Sequence, residues 1–234
     1  MRSFSITIFL VIATFAYSCT TSEIRHSDAK RPEYQGDPAQ VAKVRSLIEQ
    51  GNLALVKHDA KTAKSKADAA NSIMATFDGY YLLGMAQRDL QNPDEALQAL
   101  LHAEQIQPEN EQLLLTLGLL YGSRDELDTS LNYFNRLIKL RPDDPVYNYR
   151  AGIISKEQKN YDQAFNYLKK ADVDSFEDRD QALLQLGDVC LELRHFDEAD
   201  TYFQRARAAN PKMKDALQGS DASQTARYLD QGNE

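Results

Sequence analysis

The chain has 234 residues, with 27 Lys and Arg against 35 Asp and Glu, and a formal net charge of −8. An acidic chain repels nucleic-acid phosphates, and no basic stripe relieves that repulsion, so nucleic-acid binding is disfavoured. Hydrophobic residues make up 42%, Gly and Pro are few (10 and 7) and Trp is absent, which fits an all-helical body.

Residues 4–17 are an apolar run, FSITIFLVIATFAY, behind a single Arg2. Spanning a bilayer takes about 20 apolar residues. This run is shorter and carries hydroxyl side chains, so residues 1–18 read as a secretory signal peptide that is removed. The run closes on Ala16-Tyr17-Ser18-Cys19. Small residues before a cysteine resemble a bacterial lipobox, although Ala16 stands where leucine is usual. The resemblance implies that Cys19 is acylated and anchors the chain to a membrane. Thr20 is not the aspartate that would retain a lipoprotein in the inner membrane, so the implied location is the periplasmic side of the outer membrane. The chain has two cysteines. Cys190 sits at a packing position of the pattern below and reads as a buried thiol, which leaves Cys19 without a disulfide partner. Residues 19–38 are polar, with mixed charge and two prolines. They read as a flexible tether with an r.m.s. reach of ~25 Å.

Beyond residue 39 the chain is periodic. Gly51, Gly84, Gly118, Gly152 and Gly187 stand 33, 34, 34 and 35 residues apart. Twelve residues after each comes a small residue: Ala63, Ala96, Ser130, Ala164 and Ala199. Four further on are Ala67, Leu100, Phe134, Leu168 and Phe203. A period of about 34 residues predicts stacked helix–turn–helix units, near 44–76, 77–110, 111–144, 145–178 and 180–213. Glycine inside a helix costs about 1 kcal/mol relative to alanine, so it needs a packing reason, and close approach of a neighbouring helix supplies one. Pro108, Pro142 and Pro211 stop second helices, because proline cannot donate the next helical hydrogen bond and biases its predecessor away from helix. Asn92-Pro93-Asp94-Glu95 and Phe196-Asp197-Glu198 put acids in a first turn, where the helix dipole favours them. Residues 214–234 read as a capping helix and tail that either cover the last unit or swing onto a neighbour to make a homodimer.

The pattern resembles the tetratricopeptide repeat. Tyr80-Leu83-Gly84…Ala96-Leu100-Ala103…Pro108, Leu114-Leu117-Gly118-Tyr121…Phe134…Pro142 and Leu183-Leu186-Gly187…Ala199-Phe203-Ala206…Pro211 carry the resemblance. Units one and four are degenerate, with Asn148 and Phe176 replacing the first aromatic and the proline of unit four. The resemblance implies an all-α fold, a right-handed solenoid of about five repeats with a C-terminal capping helix. It also implies that the second, fifth, ninth and twelfth positions of each unit line an inner surface. At the fifth and ninth positions stand Ile48, Tyr81, Met85, Leu115, Leu119, Tyr149, Ile153 and Leu184, together with Asn52 and Asp188. The eight apolar residues are the candidate partner-binding groove, with Arg88 and Lys156 adding charge at its rim. Some of the eight are expected to pack between first helices instead. An exposed apolar surface of this kind suits an extended apolar segment or an amphipathic helix.

Catalytic chemistry is thin. His26, His58, His102 and His195 are scattered, with no metal-ligand spacing. Gly79…Gly84 lacks the lysine of a phosphate loop. Asp172, Asp174, Glu177, Asp178 and Asp180 lack the glycine of a calcium loop and read as a solvated turn with capping acids. No nucleophile is grouped with a base, so no enzyme activity, cofactor or metal is expected. The layout of lipobox, tether and repeats is similar to pilotin lipoproteins of type IV pilus secretins and to repeat lipoproteins of Tad pilus assembly. The function implied is a non-enzymatic scaffold in pilus or secretin assembly, holding an apolar segment of the secretin subunit. An adaptor for periplasmic peptidoglycan hydrolases or proteases is the alternative.

Overall fold

The computed structural model describes residues 34–231. Cys19, the signal segment and most of the tether lie outside them. Among the described residues there are eleven α-helices and no strand: α1 (Pro38–Val56), α2 (Ala60–Ile73), α3 (Phe77–Asp89), α4 (Pro93–Ile106), α5 (Glu111–Ser123), α6 (Leu127–Leu140), α7 (Pro145–Glu157), α8 (Tyr161–Ala171), α9 (Arg179–Glu192), α10 (Phe196–Ala209) and α11 (Lys214–Gln231). The fold is an all-α helical repeat. The chain divides into two compact units, up to Leu113 and from Leu114.

Every periodic glycine falls in a first helix and every small residue in a second. In unit 1, an added Cβ on Gly84 would lie 2.6 Å from Leu100 Cγ of α4. In unit 2, one on Gly187 would lie 2.5 Å from Phe203 Cε1 of α10. The neighbour pressed into the glycine is thus the second helix of the same repeat, through the residue four after its small one. The first repeat departs from this rule for a physical reason. Its residue at that place is Ala67, too short to fill the gap, and Leu82 from α3 fills it, within 2.4 Å of a Cβ on Gly51. At the small position of α6, Ser130 is fully buried. Its hydroxyl donates to the carbonyl of Gly118 at 2.7 Å, so no polar group is stranded.

Helix limits follow the sequence. α4, α6 and α10 end one residue before the caps Gln107, Arg141 and Asn210, each extended (ψ 82, 83 and 89°) ahead of its proline. Asp94 and Glu95 occupy the first turn of α4, and Asp197 and Glu198 that of α10. Asp59 caps α2 through the N–H of Thr62, and Thr76 caps α3 through that of Gly79.

The structure adds features that periodicity alone did not announce. His58, Gln91, Asp125, Lys159 and Arg194 all lie in the left-handed region, φ 57–63°. Each stands seven residues after a periodic glycine and turns the chain from first to second helix. In unit 2, α11 seats Gly219 against Phe203, whose Cε1 would lie 2.5 Å from an added Cβ. Gly219 follows Gly187 by 32 residues, so α11 stands where the first helix of a sixth repeat would. It covers α10 with Ala216, Gly219 and Ser223, while Leu217, Tyr228 and Leu229 remain exposed.

Candidate functional site

In unit 1 the residues assigned to the inner surface come from α1 and α3. Ile48 is buried in a cluster with Val44 and Ala70, flanked by Leu47, Ile73, Met74 and Tyr34. Tyr81 and Met85 are half-buried, and the Tyr81 ring stacks on that of the buried Phe77, centroids 5.7 Å apart. Asn52 is exposed. Arg88 turns its guanidinium to Asp89 on its own helix, 2.9 Å away.

One neighbour of this surface comes from the segment assigned to the tether. The Tyr34 hydroxyl donates to Asp78 Oδ2 at 2.7 Å. The Arg45 guanidinium lies 5.1 Å from the Tyr34 ring centroid. Asp78 and Arg45 hold the second positions of their repeats, so Tyr34 bridges two consecutive first helices.

In unit 2, Leu115, Leu119, Tyr149 and Ile153 are half-buried and Leu184 is buried. Tyr149 is committed on one side. Its ring lies 5.6 Å from Phe176, which fills the place where the sequence lacks a proline and is itself buried with Ala171 and Ala182. Burial raises the Tyr149 phenol above its ordinary pKa, so it stays a neutral donor. Ile153 packs on the α8–α10 core. Lys156 reaches from α7 to α9, donating to Gln185 Oε1 at 2.7 Å and Asp188 Oδ2 at 2.6 Å. Charge at the twelfth position thus ties adjacent first helices together across the ninth. Met85, Leu115, Leu119 and Ile153 stay half-open on the first helices.

The residues weighed for chemistry fall into structural roles. Arg179 donates to Asp172 (2.9 Å) and to Asp174, and Arg205 grips both oxygens of Asp172 (2.7 and 2.9 Å). Those arginines neutralise Asp172 and Asp174 in the acidic turn between α8 and α9. Asn210 of α10 donates to Asp180 at 2.7 Å. His102 stacks on Tyr80 at 5.0 Å, and His195 stands at the N-terminus of α10. Among the described residues no group of three His, Cys, Asp or Glu is placed to hold a metal ion. Burial pushes the Cys190 thiol up to about 12, so it is protonated and unreactive at neutral pH. A shallow, open depression between α8 and α10 is lined by Phe165, Lys169, Tyr202 and Arg205. The two cations there already lie over the two rings, so it is a packed surface rather than a ligand cleft. No described helix is long and apolar enough to cross a membrane.

Residues 77–110 and 111–144 each match a tetratricopeptide repeat family model, and residues 156–227 match a second model of the same description. No curated protein matches the chain. Among solved structures, a tetratricopeptide repeat protein from Parabacteroides merdae is similar, with 21% identity and a TM-score of 0.68 over 80% of this chain and 74% of that one. YrrB, described as a tetratricopeptide repeat protein with an unusual peptide-binding site, gives 18% identity and a TM-score of 0.67 over 75% and 90%. Pseudomonas aeruginosa PilF gives 15% and 0.59 over 77% and 90%. At these identities the likeness is one of fold.

Proposed function

This chain is built of tetratricopeptide repeats, a fold that serves as a protein–protein interaction scaffold, and we propose that it is a non-enzymatic, lipid-anchored scaffold of the periplasmic side of an outer membrane, acting in pilus or secretin assembly. The observation that carries the scaffold reading is the half-open apolar set Tyr81, Met85, Leu115, Leu119 and Ile153 on first helices. Residues of this kind on the inner positions offer apolar contact to an extended segment or an amphipathic helix. The non-enzymatic reading rests on chemistry: Asp172 and Asp174 of the acidic turn are paired with arginines, and the described cysteine is a buried thiol.

The membrane and pilus parts of the reading rest on the order of elements in the sequence: an apolar leader, a lipobox-like end at Cys19, a polar tether, then repeats. In that arrangement the lipid sets the location and the inner surface holds an apolar segment of the secretin subunit. Deletion of the gene is expected to abolish secretin multimers and twitching motility. Unchanged multimers and motility would overturn the pilus reading. Capture of partners by the full chain from a membrane extract, with Tyr81→Ala and Ile153→Ala as controls, is expected to recover a secretin subunit. Recovery of a peptidoglycan hydrolase or protease in its place would establish the adaptor reading.

A further inference from the structure

Tyr34 touches the inner surface of unit 1 as a bound ligand would. It precedes α1 and is half-buried. Its hydroxyl donates to Asp78 Oδ2 at 2.7 Å, and its ring receives the Arg45 guanidinium at 5.1 Å. The ring joins the Val44, Ile48 and Ala70 cluster. Two residues on, Gly36 lies so close to Met74 that an added Cβ would be 3.2 Å from its Cε. Asp37 then caps α1, its carboxylate accepting from Ala39 N–H at 3.2 Å. Residues 35–37 are non-helical, with a bend at Gly36, and lead from Tyr34 into α1.

The partners of Tyr34 are particular. Arg45 and Asp78 occupy the second position of two successive repeats, one of the places that face a ligand in this fold. A cation over the ring face and an anion at the hydroxyl together select a phenol: phenylalanine loses the hydrogen bond, and an aliphatic residue loses both contacts. We propose that Arg45, Asp78 and Ile48 form a tyrosine-binding subsite on the inner surface of unit 1. Tyr34 occupies it in cis, and a partner segment must displace Tyr34 with a tyrosine of its own. This builds on the scaffold reading but not on the identity of the partner. A cis occupant competes at an effective concentration on the order of millimolar, so it closes the subsite to weak binders and leaves it open to segments that gain further contacts along the repeats.

The test needs no natural partner. A fluorescein-labelled synthetic peptide of residues 30–38 is titrated against the detergent-solubilised full chain and its variants, with binding read by polarisation. Tyr34→Ala is expected to bind the peptide at least tenfold more tightly than wild type. Adding Asp78→Ala is expected to weaken that binding about tenfold, and a peptide with phenylalanine at the tyrosine position should bind several-fold less well. Tyr34→Phe keeps the ring packing and is expected to open the subsite to an intermediate degree, which guards against misfolding of Tyr34→Ala. Equal binding by wild type and both Tyr34 variants would overturn the proposal, as would insensitivity to Asp78→Ala or to loss of the peptide hydroxyl. A failed secretin pull-down would leave this result untouched.

Discussion

Phe203 shows how single residues set the packing tolerance of the stack. Its ring is fully buried and held between two glycines of different helices, Gly187 and Gly219, with ring carbons 2.5–2.7 Å from where either Cβ would stand. Moving away from one glycine drives the ring into the other. Gly187→Ala and Gly219→Ala are each expected to destabilise by about 1–3 kcal/mol of overpacking, reduced by the ~1 kcal/mol that alanine gains in a helix. Gly118 is roomier, with Phe134 Cε2 at 3.1 Å, and Gly118→Ala should fall close to wild type. Urea unfolding of the three variants checks the order, and a neutral Gly219→Ala would remove α11 from the repeat register. Cys190 makes a second case. Its thiol titrates at about 12 in the fold against an ordinary 9.0, because burial penalises the thiolate. Between pH 9 and pH 12 the unfolded chain therefore releases a proton that the folded chain keeps, and stability falls as pH rises through that window. At pH 8 the described thiol should resist iodoacetamide until denaturant is added; labelling at the same rate in native buffer would contradict its burial.

At the scale of the helices, most of the frame was legible in the sequence because its signals are local. Proline ends α4, α6 and α10, and acids start α4 and α10, wherever they were expected. What escaped depends on contacts far apart in the chain. Gly219 follows Gly187 by 32 residues, just short of the periodic spacing, and nothing local says that Phe203 fills the space beside it. The left-handed turn residues escaped because no glycine marks them: His58, Gln91, Asp125, Lys159 and Arg194 adopt φ near +60° in a conformation that costs an L-residue about 1–2 kcal/mol. Lys159→Gly should therefore raise stability by up to ~1 kcal/mol, net of the extra entropy glycine loses on folding, and a thermal melt reads the sign. For the candidate groove, the sequence spoke to helix placement alone. The fifth and ninth positions were located correctly on first helices, but burial of Ile48 and Leu184 depends on neighbouring helices rather than on register. Phe176 illustrates the same limit. Its place lacks the proline, and the chain substitutes an aromatic plug against Tyr149 and Ala182 plus the clamp of Asp172 by two arginines. Phe176→Ala is expected to cost about 3–5 kcal/mol. It should also free the Tyr149 side chain, visible as faster hydrogen exchange in α7, α8 and α9 and little change within residues 38–106.

For the whole molecule, the proposed function divides into two tasks, partner binding by the repeats and anchoring by the proposed lipobox cysteine. A chain with net charge −8 gains little from anionic headgroups, and no described helix can cross a bilayer. The proposed hold at a membrane lies outside the repeats, at Cys19. One acyl chain contributes ~0.8 kcal/mol per buried CH₂, and stable anchoring takes more than a single chain, as the multiple acylation of a lipobox cysteine provides. Replacing the cysteine is therefore expected to change location and nothing else. Cys19→Ala in the full chain should lose metabolically incorporated palmitate and leave the membrane fraction, while its helical circular dichroism and thermal midpoint stay those of wild type. Tyr81→Ala with Ile153→Ala should do the converse, keeping palmitate and membrane association while losing partner capture. A Cys19→Ala protein that still sediments with membranes would overturn the lipid anchor, and a membrane-bound protein partner of the repeats would take its place.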